Sequence, residues 1–346
     1  SFRKRCIDLS AGDAVPISQP PLKKLFGDDL SSHPQSRSES PDRIPHLGLL
    51  PEDLAGFEVR LDARAADQSC PLIDLEHQVL ATGIPNRSED EFHRERLGED
   101  GLDLLFHYGP RNSDVQRERL VRMLVRAAEE GATVLVLPEL CADEECLSAL
   151  TEAFQAARPS LRLLVAGSRH VRDSGGLRNE CVALLRGYRH PLTHSKFASY
   201  VLRRQGQPAL REGLLPARRL LTLFVCDDWS FTFLICKDFL DPDVDHLLRQ
   251  LGVSLLFVPA LTPRTGEFAA FSTALAYANQ ALVVVANNPI FPTGDPVHSI
   301  FSFPRRSRAQ RVAGSRECPP PGVCLYRLME DSMSWVDVVD TSSIVD

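Results

Sequence analysis

Apolar residues in this chain follow two recurring patterns, and from Leu102 onward the patterns alternate. Short consecutive apolar runs read as buried strands; stretches with apolar residues every three or four places read as helices with one apolar stripe. Residues 102–108 form a strand ended by Gly109-Pro110. Asn112 or Ser113 caps a helix whose stripe is Leu120, Val121, Leu124, Val125 and Ala128, and Gly131 stops it. Residues 133–137 are a continuous apolar strand of the kind covered on both faces, broken by Pro138-Glu139-Leu140. Helical spacing returns over 147–157, strands follow at 161–167 and 182–185, and a turn at Gly187 leads into 190–197. The run 220–235, interrupted at Asp227-Asp228, alternates Phe231, Phe233 and Ile235 with Thr232 and Leu234, which is strand periodicity, and delivers Cys236 at a strand end. Then come a helix at 244–251 ended by Gly252, a strand at 254–258 closed by Pro259-Ala260, and an Ala-rich helix at 268–280. A strand at 281–286 leads into Asn287-Asn288, and hairpin strands follow at 299–301, 323–326 and 334–339. Alternating strands and helices with late hairpins predict an α/β protein in which helices cover large sheets.

The first hundred residues differ. Over 1–45, prolines (Pro16, Pro20, Pro21, Pro34, Pro41, Pro45) interleave with serines, a composition that reads as a linker or tail. Residues 46–101 hold brief apolar clusters split by proline and charge, and read as an extension wrapping the main domain at 102–346. The chain starts at Ser1 rather than Met, which suggests a piece or a processed form of something longer.

Composition narrows the function. With 346 residues and 43% hydrophobic content there is material for a full core. A net charge of −7 argues against a general nucleic-acid surface. The nine cysteines contain no Cys-x-x-Cys pair, so free thiols in a reducing, cytoplasmic setting are expected, with no metal site and no cofactor. No apolar run reaches the roughly 18 residues of a membrane span, so no membrane partner is expected.

The candidate chemistry lies at polar residues that leave strands or turns. Glu139 follows the 133–137 strand, Lys196 sits in Thr193-His194-Ser195-Lys196-Phe197, and Cys236 lies in Leu234-Ile235-Cys236-Lys237-Asp238. Each has a bland reading alone: a solvated carboxylate, a surface cation, a core cysteine. Lys237 beside the thiol favours the reactive thiolate, and Asp238 opposes it.

Taken in order, these segments resemble the nitrilase superfamily of carbon–nitrogen hydrolases, over about residues 102–340. The resemblance is carried by Val134-Leu135-Val136-Leu137-Pro138-Glu139-Leu140, by Lys196 after its turn, and by the hydrophobic-Cys-x-Asp motif at Cys236. Ala166-Gly167-Ser168 with Asn179, Val258-Pro259-Ala260, and the strand ending in Asn287 are similar to flanking segments of the family, and His298-Ser299 falls where Gly-Ser is usual. The resemblance implies a four-layer α-β-β-α sandwich with an N-terminal extension, at least dimeric, acting on a small amide, or less readily a nitrile, through a thioester. It implies Cys236 as nucleophile, Glu139 as base and then acid, and Lys196 as oxyanion stabiliser, with the Lys237 amide as second donor and Asn179 close by. Glu212, in Arg211-Glu212-Gly213-Leu214, is the candidate for the further active-site carboxylate of many members, a surface carboxylate being the alternative. Lys237 departs from the aromatic residue usual after the nucleophile, and the segment before Leu102 is outside the common pattern.

Two other readings compete. One is a nitrilase-like regulatory or oligomerising module of a larger polypeptide, such as a reverse-transcriptase-associated bacterial defence protein. The other is a plain α/β scaffold in which the triad is coincidental, with the three side chains far apart.

Overall fold

A computed structural model describes residues 6–16, 47–50, 53–69, 78–100, 103–174, 176–202, 209–214, 218–226, 229–288, 290, 297–305, 312–315 and 320–338. Most of the Pro/Ser-rich stretch, and the Asp227-Asp228 turn, lie outside these residues. Among the described residues two large sheets carry the fold. The eight-stranded sheet runs, in spatial order, Cys6–Leu9, Glu58–Asp62, Leu220–Val225, Ser230–Phe233, Leu255–Ala260, Leu282–Asn287, Ser299–Ser302 and Val312–Ser315. The seven-stranded sheet runs Leu192–Ser195, Gly176–Leu185, Leu163–Asp173, Val134–Val136, Val79–Ile84, Gly322–Arg327 and Ser332–Asp337.

Strand alternation sorts the side chains between layers. Val134, Val136, Leu163 and Val165 point into the apolar core shared with the eight-stranded sheet, where they join Phe231, Phe233, Val284 and Phe301. Their neighbours Leu135 and Leu164 point the other way, into a second core with Leu120, Met123, Leu124, Leu150 and Phe154 of the helices Ser113–Glu129 and Glu144–Ala156. The helices Pro242–Leu251 and Gly266–Asn279 pack on the eight-stranded sheet. The result is the expected α-β-β-α layering. Helix ends follow their sequence signals: Asn112 Oδ1 accepts the Val115 N–H at 3.1 Å, and Gly252 closes its helix at φ 65°. In the first helix the buried stripe is Leu120, Met123, Leu124, Ala127 and Ala128, and Val125 is exposed, so the stripe is rotated from the expected one.

The boundary expected at Leu102 does not match the sheets. Val79–Ile84 lies inside the seven-stranded sheet, parallel to Val134–Val136 and antiparallel to Gly322–Arg327. Glu58–Asp62 lies inside the other sheet, parallel to Leu220–Val225. Residues within 46–101 are therefore core strands, not only an extension. Their brevity and the charged segments between them hid this. Conversely Asp103–Pro110, read as the first core strand, belongs to a separate four-stranded sheet with Val201–Leu202, Leu210–Glu212 and Phe92–Asp100. That small sheet stands beside the strand ends where the site forms.

Candidate active site

Glu139 emerges from the C-terminal end of Val134–Val136 in a tight turn. Leu140 takes a left-handed φ of 56°, and its N–H donates to Ser168 Oγ at 3.1 Å. Gly167, at φ 72°, lets the Pro138 carbonyl approach closely; a Cβ there would lie 2.3 Å from that oxygen. The Ala-Gly-Ser segment thus seats the Glu139 turn. The Glu139 N–H reaches across to the Ala260 carbonyl at 3.3 Å, tying the turn to the facing sheet. Lys196 follows Leu192–Ser195, and its N–H donates to the Asn179 carbonyl at 2.8 Å. Cys236 opens a short 3-10 turn after Ser230–Phe233, at the left-handed φ of 47°. Such a conformation costs on the order of 1 kcal/mol or more in a non-glycine residue, so surrounding contacts must hold it.

These contacts form a closed polar cluster. Lys196 Nζ lies 2.6 Å from Glu139 Oε1 and 2.7 Å from Glu212 Oε2, and its side chain is only 1% exposed. Asn179 Nδ2 donates to Glu139 Oε1 at 3.0 Å and to Glu212 Oε1 at 2.8 Å. Cys236 adjoins this cluster: its thiol is close enough to Glu139 and Lys196 to feel both charges. Glu139, Asn179, Lys196, Glu212 and Cys236 are therefore in one place, and all are buried. The surface reading of Glu212 is excluded, and so is the scaffold with scattered side chains.

Charge in the cluster is unevenly shared. Burial is the largest influence on Glu139 and raises it above the ordinary carboxylate range, against the pull of Lys196. Burial also opposes charge on Glu212, but Lys196 and a hydrogen bond from His170 outweigh it and hold this carboxyl far below its usual range. Burial works against the Lys196 charge too; the two carboxylates override it and keep the ammonium protonated. Cys236 is pushed well above its ordinary value by burial and then by Glu139, which outweigh Lys196. The expected help from Lys237 takes another form. Its Nζ donates to the Ser199 carbonyl at 3.3 Å, so the lysine latches the turn to the Lys196 loop.

Asp238 is a second such latch, and its role was not legible in the sequence. Fully buried, it accepts the Phe197 N–H at 3.2 Å, the Ala198 N–H at 2.9 Å and pairs with His194 Nε2 at 3.0 Å. It binds the cysteine turn to the lysine loop. Asn287 does the same for the loop after Leu255–Ala260: it accepts the Thr262 N–H at 2.9 Å and donates to the Thr262 and Val297 carbonyls, both at 3.1 Å.

Two cavities meet the cluster. One has Glu139, Lys196 and Glu212 on its floor and Tyr108, Leu140, Tyr200, Leu210 and Leu261 on its walls. The other is lined by Cys236 together with Lys237, Thr262, Pro263 and Arg264. Tyr200 lines both. The loops after Cys236 and after Leu255–Ala260 contribute Leu240, Leu261, Thr262, Pro263 and Arg264 to the two cavities. Phe239 packs its ring near Phe268 and Phe271. Among the described residues no group of His, Cys, Asp and Glu could hold a metal ion, and no helix is long and apolar enough to cross a membrane.

Comparisons with known proteins find only distant similarities. No family model matches the chain, and no curated protein does. Among solved structures it is similar to an amidase from Nesterenkonia sp., at 15% identity and a TM-score of 0.47, over 75% of this chain and 95% of that one. A cysteine-to-alanine mutant of the Nesterenkonia sp. AN1 amidase in complex with butyramide is similar at 15% identity and a TM-score of 0.48, over 74% and 92%. Saccharomyces cerevisiae Nit3, described as a member of branch 10 of the nitrilase superfamily, is similar at 14% identity and a TM-score of 0.49, over 77% and 93%.

Proposed function

We propose that this chain is a cysteine-dependent carbon–nitrogen hydrolase of the nitrilase superfamily, acting on a small amide through a thioester. The observation that carries the reading is Glu139, bonded to the Lys196 ammonium at 2.6 Å in a buried site that also holds the Cys236 thiol within its electrostatic reach. The raised Cys236 thiol rests protonated at neutral pH, so the nucleophile is made when it is used, by the ionised form of Glu139. Glu139 takes the Cys236 proton as the sulfur attacks the carbonyl carbon. The new C–S bond leaves a tetrahedral oxyanion, which the Lys196 ammonium stabilises and to which the Lys237 N–H is the second donor. The C–N bond then breaks, and Glu139 returns its proton to the departing amine. Water enters, Glu139 takes one of its protons, the hydroxyl attacks the thioester, and the C–S bond breaks with the proton going back to sulfur.

Glu212 stays ionised throughout, since its pairing with Lys196 and His170 opposes protonation. The two carboxylates thus have separate tasks: Glu139 moves protons, while Glu212 anchors Lys196. Amides are placed ahead of nitriles on the resemblance.

The test is intact-mass detection of an acyl adduct together with ammonia release across a panel of amides and nitriles. Adduct and turnover are expected with at least one amide, and both vanish in Cys236→Ala. A panel with no adduct and no turnover would refute the hydrolase reading and favour a regulatory or oligomerising module of a larger protein.

A further inference from the structure

We propose that His170 is a positioning residue for this chemistry: through one Nε2–H bond it fixes Glu212, and through Glu212 it fixes Lys196. The inference rests on the hydrolase reading above and adds to it a residue outside the Glu139, Lys196 and Cys236 set. His170 lies on Leu163–Asp173, and its imidazole is 0% exposed. The Tyr108 N–H donates to Nδ1 at 2.9 Å, so Nδ1 presents its lone pair and the ring proton sits on Nε2. Nε2 lies 2.8 Å from Glu212 Oε1 and donates to it.

This bond completes the coordination of Glu212. Oε1 accepts from His170 and Asn179, and Oε2 accepts from the Tyr200 N–H at 3.0 Å and from Lys196 Nζ at 2.7 Å. Both oxygens are thus bound on two sides, so the carboxylate can neither rotate nor take a proton without breaking a bond. The Lys196 ammonium inherits that fixed position.

The contact is also a join between layers. Glu212 ends Leu210–Glu212, which pairs with Asp103–Pro110, the strand that holds Tyr108. One imidazole on the seven-stranded sheet therefore bonds both of these neighbouring strands of the small sheet. That sets the height of Glu212 and of the Tyr108 wall relative to Glu139. The ring of His107 lies 5.3 Å from that of His170, and the ring of His93 lies 5.4 Å beyond. Burial and its histidine neighbours lower His107 to about 4, so it brings no positive charge to this contact at neutral pH.

Three variants separate the two ring nitrogens. The His170→Gln amide extends as far as Nε2 and keeps the donor to Glu212. His170→Asn puts an oxygen where Nδ1 was, keeping the acceptor for Tyr108 and losing the donor. His170→Ala loses both. The expected result is a fall in kcat of about 10- to 100-fold in the Asn and Ala variants, with KM changed by no more than about twofold, and recovery to within a few fold in Gln. A purely structural role would make Asn and Gln equivalent. An independent readout is the long-range 1H–15N spectrum of 15N-histidine protein: the signals lost in His170→Gln should show an unprotonated Nδ1 and a protonated Nε2. An Nδ1–H tautomer, an Asn variant with wild-type kcat, or a Gln variant as impaired as Asn would overturn the inference while leaving turnover by the wild-type chain intact. Absence of wild-type turnover would instead refute the hydrolase reading, and the tautomer would still decide whether Nε2–H faces Glu212.

Discussion

Replacing Lys196 by Met tests the electrostatic core of the site most directly. The ammonium sits 2.6 Å from one carboxylate and 2.7 Å from another with almost no exposure. At an effective dielectric of about 20, a unit pair at this distance attracts by about 6 kcal/mol, and desolvation offsets much of it. Removing only the cation leaves two buried carboxylates that share the Asn179 amide, a loss of about 3 to 5 kcal/mol. For a chain of 346 residues that corresponds to a fall in Tm of about 4 to 7 °C at pH 8. The deficit should depend on pH with a definite sign. Without Lys196, the folded-state pKa of at least one carboxyl rises above its unfolded value of about 4.3. A raised folded value stabilises below the unfolded pKa, and that stability is lost as pH rises through the folded pKa. Measured against wild type at each pH, the variant should therefore be closest to it near pH 5 and furthest near pH 8. Glu212→Gln in the same chain should restore part of the stability while turnover stays about 1,000-fold down or lower. Thermal melts at both pH values decide the matter. A Tm within about 2 °C of wild type at pH 8, or the same deficit at both pH values, would refute the reasoning.

Other consequences can be checked in parallel. Because Glu139 is raised above the ordinary range and must be ionised to accept the Cys236 proton, the acid limb of kcat/KM should lie above the usual carboxylate value of about 4.3; a limb at or below it contradicts Glu139 as base. Asp238→Ala should cost about 2 to 4 kcal/mol by stranding the Phe197 and Ala198 amides, and should lower kcat more than it raises KM, with Asp238→Asn much milder in urea melts and turnover. Gly167→Ala should cost more than about 2 kcal/mol and reduce turnover, since the new Cβ meets the Pro138 carbonyl at a positive φ; a wild-type Tm would mean that the turn yields easily.

The parts of the molecule legible in the sequence are those whose periodicity is local. The strand before Glu139, the helix capped by Asn112 and the helix closed by Gly252 carry their signals within a few residues. Val79–Ile84 does not: its partners are contributed by residues 134–136 and 322–327, and its own six residues are too few to announce a central strand. The site divides in the same way. Glu139, Lys196 and Cys236 were found by motif, and Glu212 by a carboxylate expected between the lysine and the cysteine. His170 was missed because nothing local marks a histidine on a long strand; only the approach of Tyr108 and Glu212 from another sheet gives it a task. Asp238 was read as a charge opposing the thiolate, and the structure shows it occupied by the lysine loop instead.

The pairing of Gly322–Arg327 with Val79–Ile84 has a consequence for biosynthesis. The two partners are separated by about 240 residues, as Ile84 pairs with Gly322. At ribosomal speeds this interval lasts on the order of 10 to 50 s, during which one edge of that central strand lacks its mate. A nascent chain of this kind carries an adhesive edge, with Val79, Thr82 and Ile84 on it, uncovered until residues 322–327 have been made, and so depends on rapid burial or on a chaperone to avoid pairing with its neighbours.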